Sequence, residues 1–125
     1  MNERRTAGRA ILAATLGEAY AAKRDANTNA FNRPLREVVE EFAFGTIWAR
    51  EALPYKTRSL MCIALLTALN RPQELELHIV SALNAGASVE EIRETLLHVI
   101  PYCGIPASVE AFKDAMGTPR SRQRS

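Results

Sequence analysis

One stretch of the chain constrains its fold more than any other, the ten residues 60–69, which read Leu-Met-Cys-Ile-Ala-Leu-Leu-Thr-Ala-Leu. Pro54 precedes the stretch and Pro72 follows it, so it should form one helix, the third of the chain, which begins near Tyr55. Because this helix is apolar nearly all round, we expect it to be buried on every side. In a chain of 125 residues, such a helix suggests that the protein oligomerises.

Helical patterns also cover the first half of the chain. Residues 3–23 carry spaced apolar positions among charged ones and predict a first helix, which should end before the loop-forming cluster at 25–29. A second helix is predicted from Pro34 to Ile47, with Pro34 in its first turn. β-Branched residues are sparse beside Ala, Leu, Glu and Arg, so the composition favours helix over strand.

The second half of the chain carries the clearest boundaries. A fourth helix should begin at Pro72 and end at 84–86, where Gly86 can take a left-handed conformation. Ser88 and Glu91 form a capping box that opens a fifth helix, which Pro101 and a turn at 102–106 should break. A short sixth helix is expected from Pro106 to about Met116. The predicted fold class is therefore all-α with six helices.

Length and composition predict one compact domain over residues 1–117, followed by a disordered basic tail at 118–125. The 16 basic and 14 acidic residues are too balanced to indicate a nucleic-acid surface. The N-terminus lacks a secretion signal and no apolar run reaches the length of a membrane span, so a cytoplasmic location is expected. Cys62 and Cys103 have no metal-site spacing, and no metal is predicted; we expect buried free thiols.

Glu74 and His78 are the best candidates for chemistry. They stand four residues apart, so they share one face of the fourth helix. A carboxylate that orients an imidazole beside an apolar segment suits proton transfer, because His changes charge near neutral pH. The alternative is an ordinary surface pair that contributes about 0.2–0.5 kcal/mol to helix stability.

Several separated motifs, spread from about Arg9 to Phe112, resemble those of the carboxymuconolactone decarboxylase family, whose fold is alkyl-hydroperoxidase D-like. The motifs are Phe31-Asn32, Phe44-Gly45-Thr46-Ile47-Trp48-Ala49-Arg50, Lys56-Thr57-Arg58-Ser59-Leu60, Ala68-Leu69-Asn70-Arg71, Ala82-Leu83-Asn84-Ala85-Gly86 and Tyr102-Cys103-Gly104-Ile105-Pro106-Ala107. Two positions depart from the family pattern, Thr46 in place of a Glu and Val109 in place of an Asn. These departures leave the exact substrate open.

The broader group of alkyl-hydroperoxidase D-like proteins carries a Glu, a Cys-x-x-Cys pair and a His. When His78 is placed on that His, the cysteine positions become Arg71 and Glu74, and the Glu position becomes Ser59. Thiol peroxidase activity is therefore disfavoured, because neither of these positions holds a cysteine. Cys62 or Cys103 would have to serve instead, and that thiol would have to be solvent-exposed with a lowered pKa. A non-catalytic oligomeric scaffold is a further alternative.

The resemblance implies a cofactor-free carboxy-lyase that removes carbon dioxide from a carboxylated butenolide lactone, or a related lactone or keto acid, in the breakdown of aromatic compounds. The product would be 3-oxoadipate enol-lactone, and the conjugated ring would accept the electrons that other decarboxylases pass to a cofactor. The resemblance also implies a homo-oligomeric ring, a trimer or a hexamer. No membrane partner is expected.

For this chemistry His78 is the first candidate as proton donor, with Glu74 as its orienting partner. His98 is a second candidate, although it could simply interact with the carbonyl groups at a helix end. Arg71 is the strongest candidate for binding a substrate carboxylate, because it lies one turn before Glu74.

Three further residues complete the predicted substrate-binding set. Arg50 and Arg58 lie within the matching motifs and could bind a carboxylate, and a structural role is the alternative for both. Trp48 could line the pocket and exclude water, although an aromatic residue at helical spacing is more often part of a core.

Overall fold

The computed structural model describes residues 1–117, which form seven α-helices and one π-helical segment and contain no strand. The all-α class is thus confirmed, whereas the predicted number of six helices is wrong. The predicted tail at 118–125 lies outside the described residues. The elements are α1 (Glu3–Leu16), α2 (Glu18–Ala26), α3 (Arg33–Val38), the π segment (Val39–Trp48), α4 (Tyr55–Leu69), α5 (Pro72–Asn84), α6 (Val89–Cys103) and α7 (Ile105–Met116).

These elements belong to two compact units. The N-terminal unit comprises residues 1–54, and the C-terminal unit begins at Tyr55. The single domain over residues 1–117 stays a prediction. No helix within residues 1–117 is both long enough and apolar enough to cross a membrane.

The predicted first helix is two helices, because Gly17 interrupts it. Gly17 has φ of 104°, a value that only glycine adopts without strain, and its N–H donates to the Ala13 carbonyl at 3.0 Å as α1 ends. Helix α2 then continues through Asp25 and Ala26, which the sequence had suggested were part of a loop.

The predicted second helix has nearly the right extent, but its latter part has π-helical turns. The Thr46 hydroxyl donates to the Glu41 carbonyl, five residues back, at 2.9 Å. Close backbone contact accompanies these wide turns: a Cβ on Gly8 of α1 would lie 1.7 Å from the Glu40 carbonyl oxygen, and one on Gly45 would lie 2.2 Å from the Arg4 carbonyl oxygen. Only glycines at both positions let α1 and the π segment approach this closely.

The side chain of Glu40 is the centre of the N-terminal unit and is only 1% exposed. Its carboxylate accepts hydrogen bonds from Arg5 at 2.8 Å, from Arg9 at 3.1 Å and from the buried Arg24. Burial by itself raises the pKa of Glu40, but the hydrogen bonds from Arg5 and Arg24 outweigh it and hold the pKa below 4.5. Glu40 therefore stays ionised among its arginines.

In the C-terminal unit, helices α4 and α5 form an antiparallel hairpin. Asn70 takes φ of 56° just after α4, and the Arg71 N–H donates to the Leu66 carbonyl at 3.0 Å. This is the hydrogen-bond pattern of a Schellman cap, with asparagine in the left-handed position. The same pattern follows α5, where Gly86 has φ of 96° and the Ala87 N–H donates to the Ala82 carbonyl at 2.9 Å.

The capping box at the start of α6 is confirmed. The Glu91 N–H donates to the Ser88 hydroxyl at 3.0 Å, and the Ser88 N–H donates to the Glu91 carboxylate at 2.9 Å. The predicted break at Pro101 is wrong, because α6 continues past it to Cys103 and is capped by Gly104, whose φ is 92°. Helix α7 begins at Ile105, one residue before the predicted start.

Helices α4 to α7 enclose an apolar core. Its members include Ile63, Leu75, Ile79, Ala82, Ile92, Leu96 and Ala111. The prediction that α4 is buried on every side is wrong for the chain by itself, because Met61, Leu65 and Leu69 are 50%, 59% and 61% exposed. Only one side of α4 therefore packs into this core.

Candidate active site

The predicted pair, Glu74 and His78, lies on a face of α5 that becomes more buried along the helix. Glu74 is exposed, His78 is half-buried and Ser81 is fully buried. Their spacing of four and three residues places all three side chains on one side of the helix. Ser81 was not predicted, although a hydroxyl within the apolar run at 79–83 could have marked it.

A buried hydroxyl pair fixes this face of α5 against α4. The Oγ atoms of Ser59 and Ser81 lie 2.9 Å apart and are fully buried. Because α4 and α5 are antiparallel, one turn from each serine toward the hairpin leads to Cys62 on α4 and His78 on α5. The hydrogen bond therefore sets Cys62 and His78 at one level along the two helices.

Burial governs the charge state of His78. It lowers the pKa of the imidazole below 6.5, while the charge of Glu74 acts in the opposite direction and only partly offsets it. His78 is therefore neutral near pH 7 and responds to a nearby carboxylate, since Glu74 already favours the protonated form. A group with this balance can accept a proton when an anion binds beside it.

Cys62 does not have the properties that peroxidase chemistry requires. Burial raises the pKa of the half-buried Cys62 thiol, and the nearby Arg58 only partly offsets this effect. Cys103 is exposed at the end of α6, so the prediction of a buried thiol is wrong there. Both cysteines are free.

The other predicted residues of the C-terminal unit lie at different depths. Arg58 is half-buried on α4, and Arg71 is exposed immediately before α5, one turn ahead of Glu74. His98 is exposed on α6, and its ring centroid lies 5.4 Å from that of Tyr102. The hairpin thus places Arg58, Glu74 and His78 on two adjoining helices, with Arg71 directly before the second, whereas His98 lies on a third.

Trp48 and Arg50 belong to the N-terminal unit. Trp48 is buried at the end of the π segment, with its ring centroid 5.3 Å from that of Phe44. Arg50 is exposed two residues further along the chain. Their roles in substrate binding stay predictions. Within residues 1–117, no group of three or more His, Cys, Asp or Glu side chains could hold a metal ion.

Comparisons with known proteins identify the class to which this helical chain belongs. Residues 33–115 match the family model described as carboxymuconolactone decarboxylase family. The chain belongs to the carboxymuconolactone decarboxylase family, and the resemblance seen in its motifs is confirmed.

Two curated relatives are similar to most of the chain. A 4-carboxymuconolactone decarboxylase of Acinetobacter baylyi is 40% identical over 106 residues, which cover 79% of each chain. The nitrosuccinic acid decarboxylase npaB of Metarhizium robertsii is 41% identical over 97 residues, which cover 78% of this chain and 68% of the relative. Both relatives bear names of decarboxylases.

Proposed function

We propose that the protein is a cofactor-free carboxy-lyase that decarboxylates 4-carboxymuconolactone, or a closely related acid, to 3-oxoadipate enol-lactone. Its family and the name of its Acinetobacter relative support this assignment. The structural observation that carries it is the half-buried, neutral His78 with the Glu74 charge acting on it. This pair provides an imidazole whose charge can change when an anionic substrate binds.

The reaction needs a place for two electrons and a source for one proton. When the bond to the carboxylate carbon breaks, carbon dioxide leaves and the electron pair spreads into the conjugated lactone carbonyl. A substrate carboxylate beside His78 adds to the effect of Glu74 and favours the imidazolium. His78 then stabilises the developing negative charge on oxygen and returns its proton to carbon.

Substrate anions need fixed positive charge at the same hairpin. Arg71 lies exposed at the start of α5 and Arg58 lies half-buried on α4, so we assign the binding of substrate carboxylates to this pair. Trp48 and Arg50 remain proposed substrate contacts on the strength of the family motifs alone, and His98 remains one as the second histidine of the chain.

Nitrosuccinic acid is a second candidate substrate, because the relative of that name is as similar to this chain as the lactone enzyme is. Its nitro group can accept the electron pair that a lactone carbonyl accepts, so the same proton donor would serve both acids. The departures at Thr46 and Val109 are compatible with either substrate. A role in the breakdown of aromatic compounds follows only from the lactone.

We also propose a location and an assembly state for the protein. We assign the protein to the cytoplasm and to a homo-oligomeric ring of three or six copies, each a single domain. The exposed side of α4 supports assembly, because three large apolar side chains there would otherwise face water.

Release of carbon dioxide from each of the two acids, with loss of ultraviolet absorbance for the lactone, tests the proposal. We expect turnover by the wild type and a loss of about 10²-fold or more in His78→Ala. Gln73→Ala, which alters an exposed residue on another side of α5, is the matched control and should leave turnover unchanged. Equal activity in His78→Ala would remove His78 from the site. A folded oligomer that turns over neither acid would favour the alternative of a non-catalytic scaffold.

A further inference from the structure

An apolar groove lies between the end of α6 and the length of α7. Its apolar walls are Ile105, Val109, Phe112 and Met116 of α7 together with Ile100 of α6. The four α7 residues follow one another at intervals of four, three and four positions, so they form one stripe along the helix. We call this feature the α6–α7 groove.

The α6–α7 groove has the size and character of a small-molecule site. Its cavity volume is about 410 Å³, which lies within the roughly 300–1,000 Å³ of typical ligand pockets. Ile105, Val109 and Met116 expose apolar surface there, so covering them with an apolar group is favourable. His78 lies on α5 and is not among the lining residues, so the groove is separate from the proposed active site.

Lys113 gives the α6–α7 groove a positive charge at its edge. Among the described lining residues it is the one that is charged. It follows Val109 by four residues and precedes Met116 by three, so it borders the apolar stripe. Ser108 also lines the groove, but its hydroxyl already donates to the Leu96 carbonyl at 2.8 Å. An apolar groove with one cation at its edge is complementary to an anion that carries an apolar tail.

Glu110 opposes the charge of Lys113 only weakly. Its carboxylate lies 3.8 Å from the Lys113 Nζ, which is too far for a hydrogen bond, and the two side chains are 62% and 69% exposed. An exposed pair of this kind contributes little free energy. Glu110 does not line the groove, so Lys113 can turn toward a bound anion at small cost.

We propose that the α6–α7 groove binds a free medium-chain fatty acid, with the hydrocarbon chain along the stripe and the carboxylate on Lys113. Lys113 and Ile105 are eight residues apart, about 12 Å along the helix axis, which is a length suited to such a chain. Val109 lies midway and is one of the two departures from the family pattern. An Asn there would place an amide against the hydrocarbon, so the valine keeps the path apolar.

Size favours this occupant over a protein. A stable protein interface takes roughly 20–30 residues from each partner, whereas the groove is lined by seven. A single small anion with an apolar tail can fill the groove and reach its one cation. This inference concerns a second site and does not depend on the proposed decarboxylation.

Calorimetric titration with decanoate, kept below the concentration at which it forms micelles, is the first test. We expect saturable binding of one decanoate per chain. Lys113→Gln should weaken it about three- to fivefold, as loss of an exposed ion pair does, and Glu110→Gln should tighten it. Lys23→Gln, which alters an exposed lysine of α2, is the matched control and should leave the affinity unchanged. Absence of binding by the wild type would overturn the proposal, and so would equal affinities for wild type and Lys113→Gln.

The path of the hydrocarbon chain has its own test in Val109→Asn. This substitution adds a polar amide to the stripe, and we expect decanoate to bind about fivefold more weakly or worse. Val89→Asn is the matched control, because Val89 is also an exposed valine of the C-terminal unit but lies at the start of α6. Circular dichroism should confirm that both variants fold. Equal affinities for the two variants would place the decanoate chain elsewhere and overturn the proposal.

His78→Ala separates this site from the proposed active site. Because His78 does not line the groove, we expect decanoate to bind this variant with the affinity of the wild type. Loss of binding in His78→Ala would mean that decanoate occupies the α5 face, and the groove would then not be the site. These titrations need no turnover, so their failure is distinguishable from failure of the proposed decarboxylation, which the carbon dioxide assay reports.

Discussion

The two units of this chain are stabilised by different interactions. The N-terminal unit has an ionised carboxylate at its centre, and its three arginine partners are held by that carboxylate. The C-terminal unit has an apolar core, and among its described residues the fully buried polar side chains include the hydroxyls of Ser59 and Ser81. The comparison indicates that buried charge has a structural role in the first unit, whereas the core of the second unit is apolar.

The largest effect is expected from Glu40→Gln, which keeps the shape of the side chain but removes its charge. Arg24 is 5% exposed and would be left as a buried cation without its counter-charge. Removing one partner of a buried ion pair costs about 3–5 kcal/mol of stability. Urea unfolding followed by Trp48 fluorescence should show this loss, because the only tryptophan of the chain lies in the same unit.

Glu37→Gln is the control for this prediction. Glu37 also pairs with Arg5, at 3.2 Å, but its side chain is 42% exposed, so water replaces much of the lost interaction. We expect only a small fraction of the Glu40 effect. Equal unfolding midpoints for the two variants would show that the buried charges are not what stabilises the N-terminal unit.

An intermediate effect is expected from the buried serine pair of the C-terminal unit. Ser59→Ala or Ser81→Ala alone leaves the other hydroxyl without this hydrogen bond, at a cost of about 1–3 kcal/mol. The double variant should cost less than the sum, because it removes both buried polar groups. A thermodynamic cycle measured by urea unfolding checks this coupling.

Ser108 supplies the control for that cycle, because its hydroxyl donates to the Leu96 carbonyl at 2.8 Å and shares no partner with Ser59. Ser59→Ala and Ser108→Ala should therefore add. Additive losses for Ser59→Ala and Ser81→Ala would instead mean that the 2.9 Å contact contributes nothing beyond its two separate hydroxyls.

What the sequence could predict also differs between the units. In the C-terminal unit the signals are local: the capping box of Ser88 and Glu91 and the cap at Gly86 each involve residues only a few positions apart, and both are confirmed. The four-residue spacing of Glu74 and His78 likewise predicted that they share a face, and the charge of Glu74 does act on His78.

The features that sequence reasoning missed depend on distant partners. The wide turns near Glu40 come with the close approach of α1, and Glu40 binds arginines that lie up to 35 positions away. Nothing in the local pattern marks Glu40 as different from Glu37. The failed prediction for α4 has a related cause, because hydropathy predicts that a surface will be covered but does not predict whether the cover comes from the same chain.

The smallest of these effects is expected from lowering the pH, which should destabilise the C-terminal unit more than the N-terminal unit. The direction of the change follows from the pKa shifts of His78 and Glu40. The pKa of folded His78 lies below 6.5, so below that pH the unfolded chain takes up a proton more readily than the folded one, and the stability of the C-terminal unit falls. The pKa of Glu40 lies below 4.5, so its contribution persists at pH 5.5 and is lost only as pH falls further. On going from pH 7.5 to pH 5.5, we therefore expect a lower urea midpoint from the amide signals of Ile63 and Ala82. The midpoint from Trp48 fluorescence should stay nearly unchanged.

Two variants are the controls for this prediction. His78→Gln should abolish the difference in midpoint between the two pH values, whereas His98→Gln, on the exposed part of α6, should preserve it. A midpoint shift that survives His78→Gln would mean that another group senses acid in this unit, and the burial of His78 would then have no measurable effect on stability.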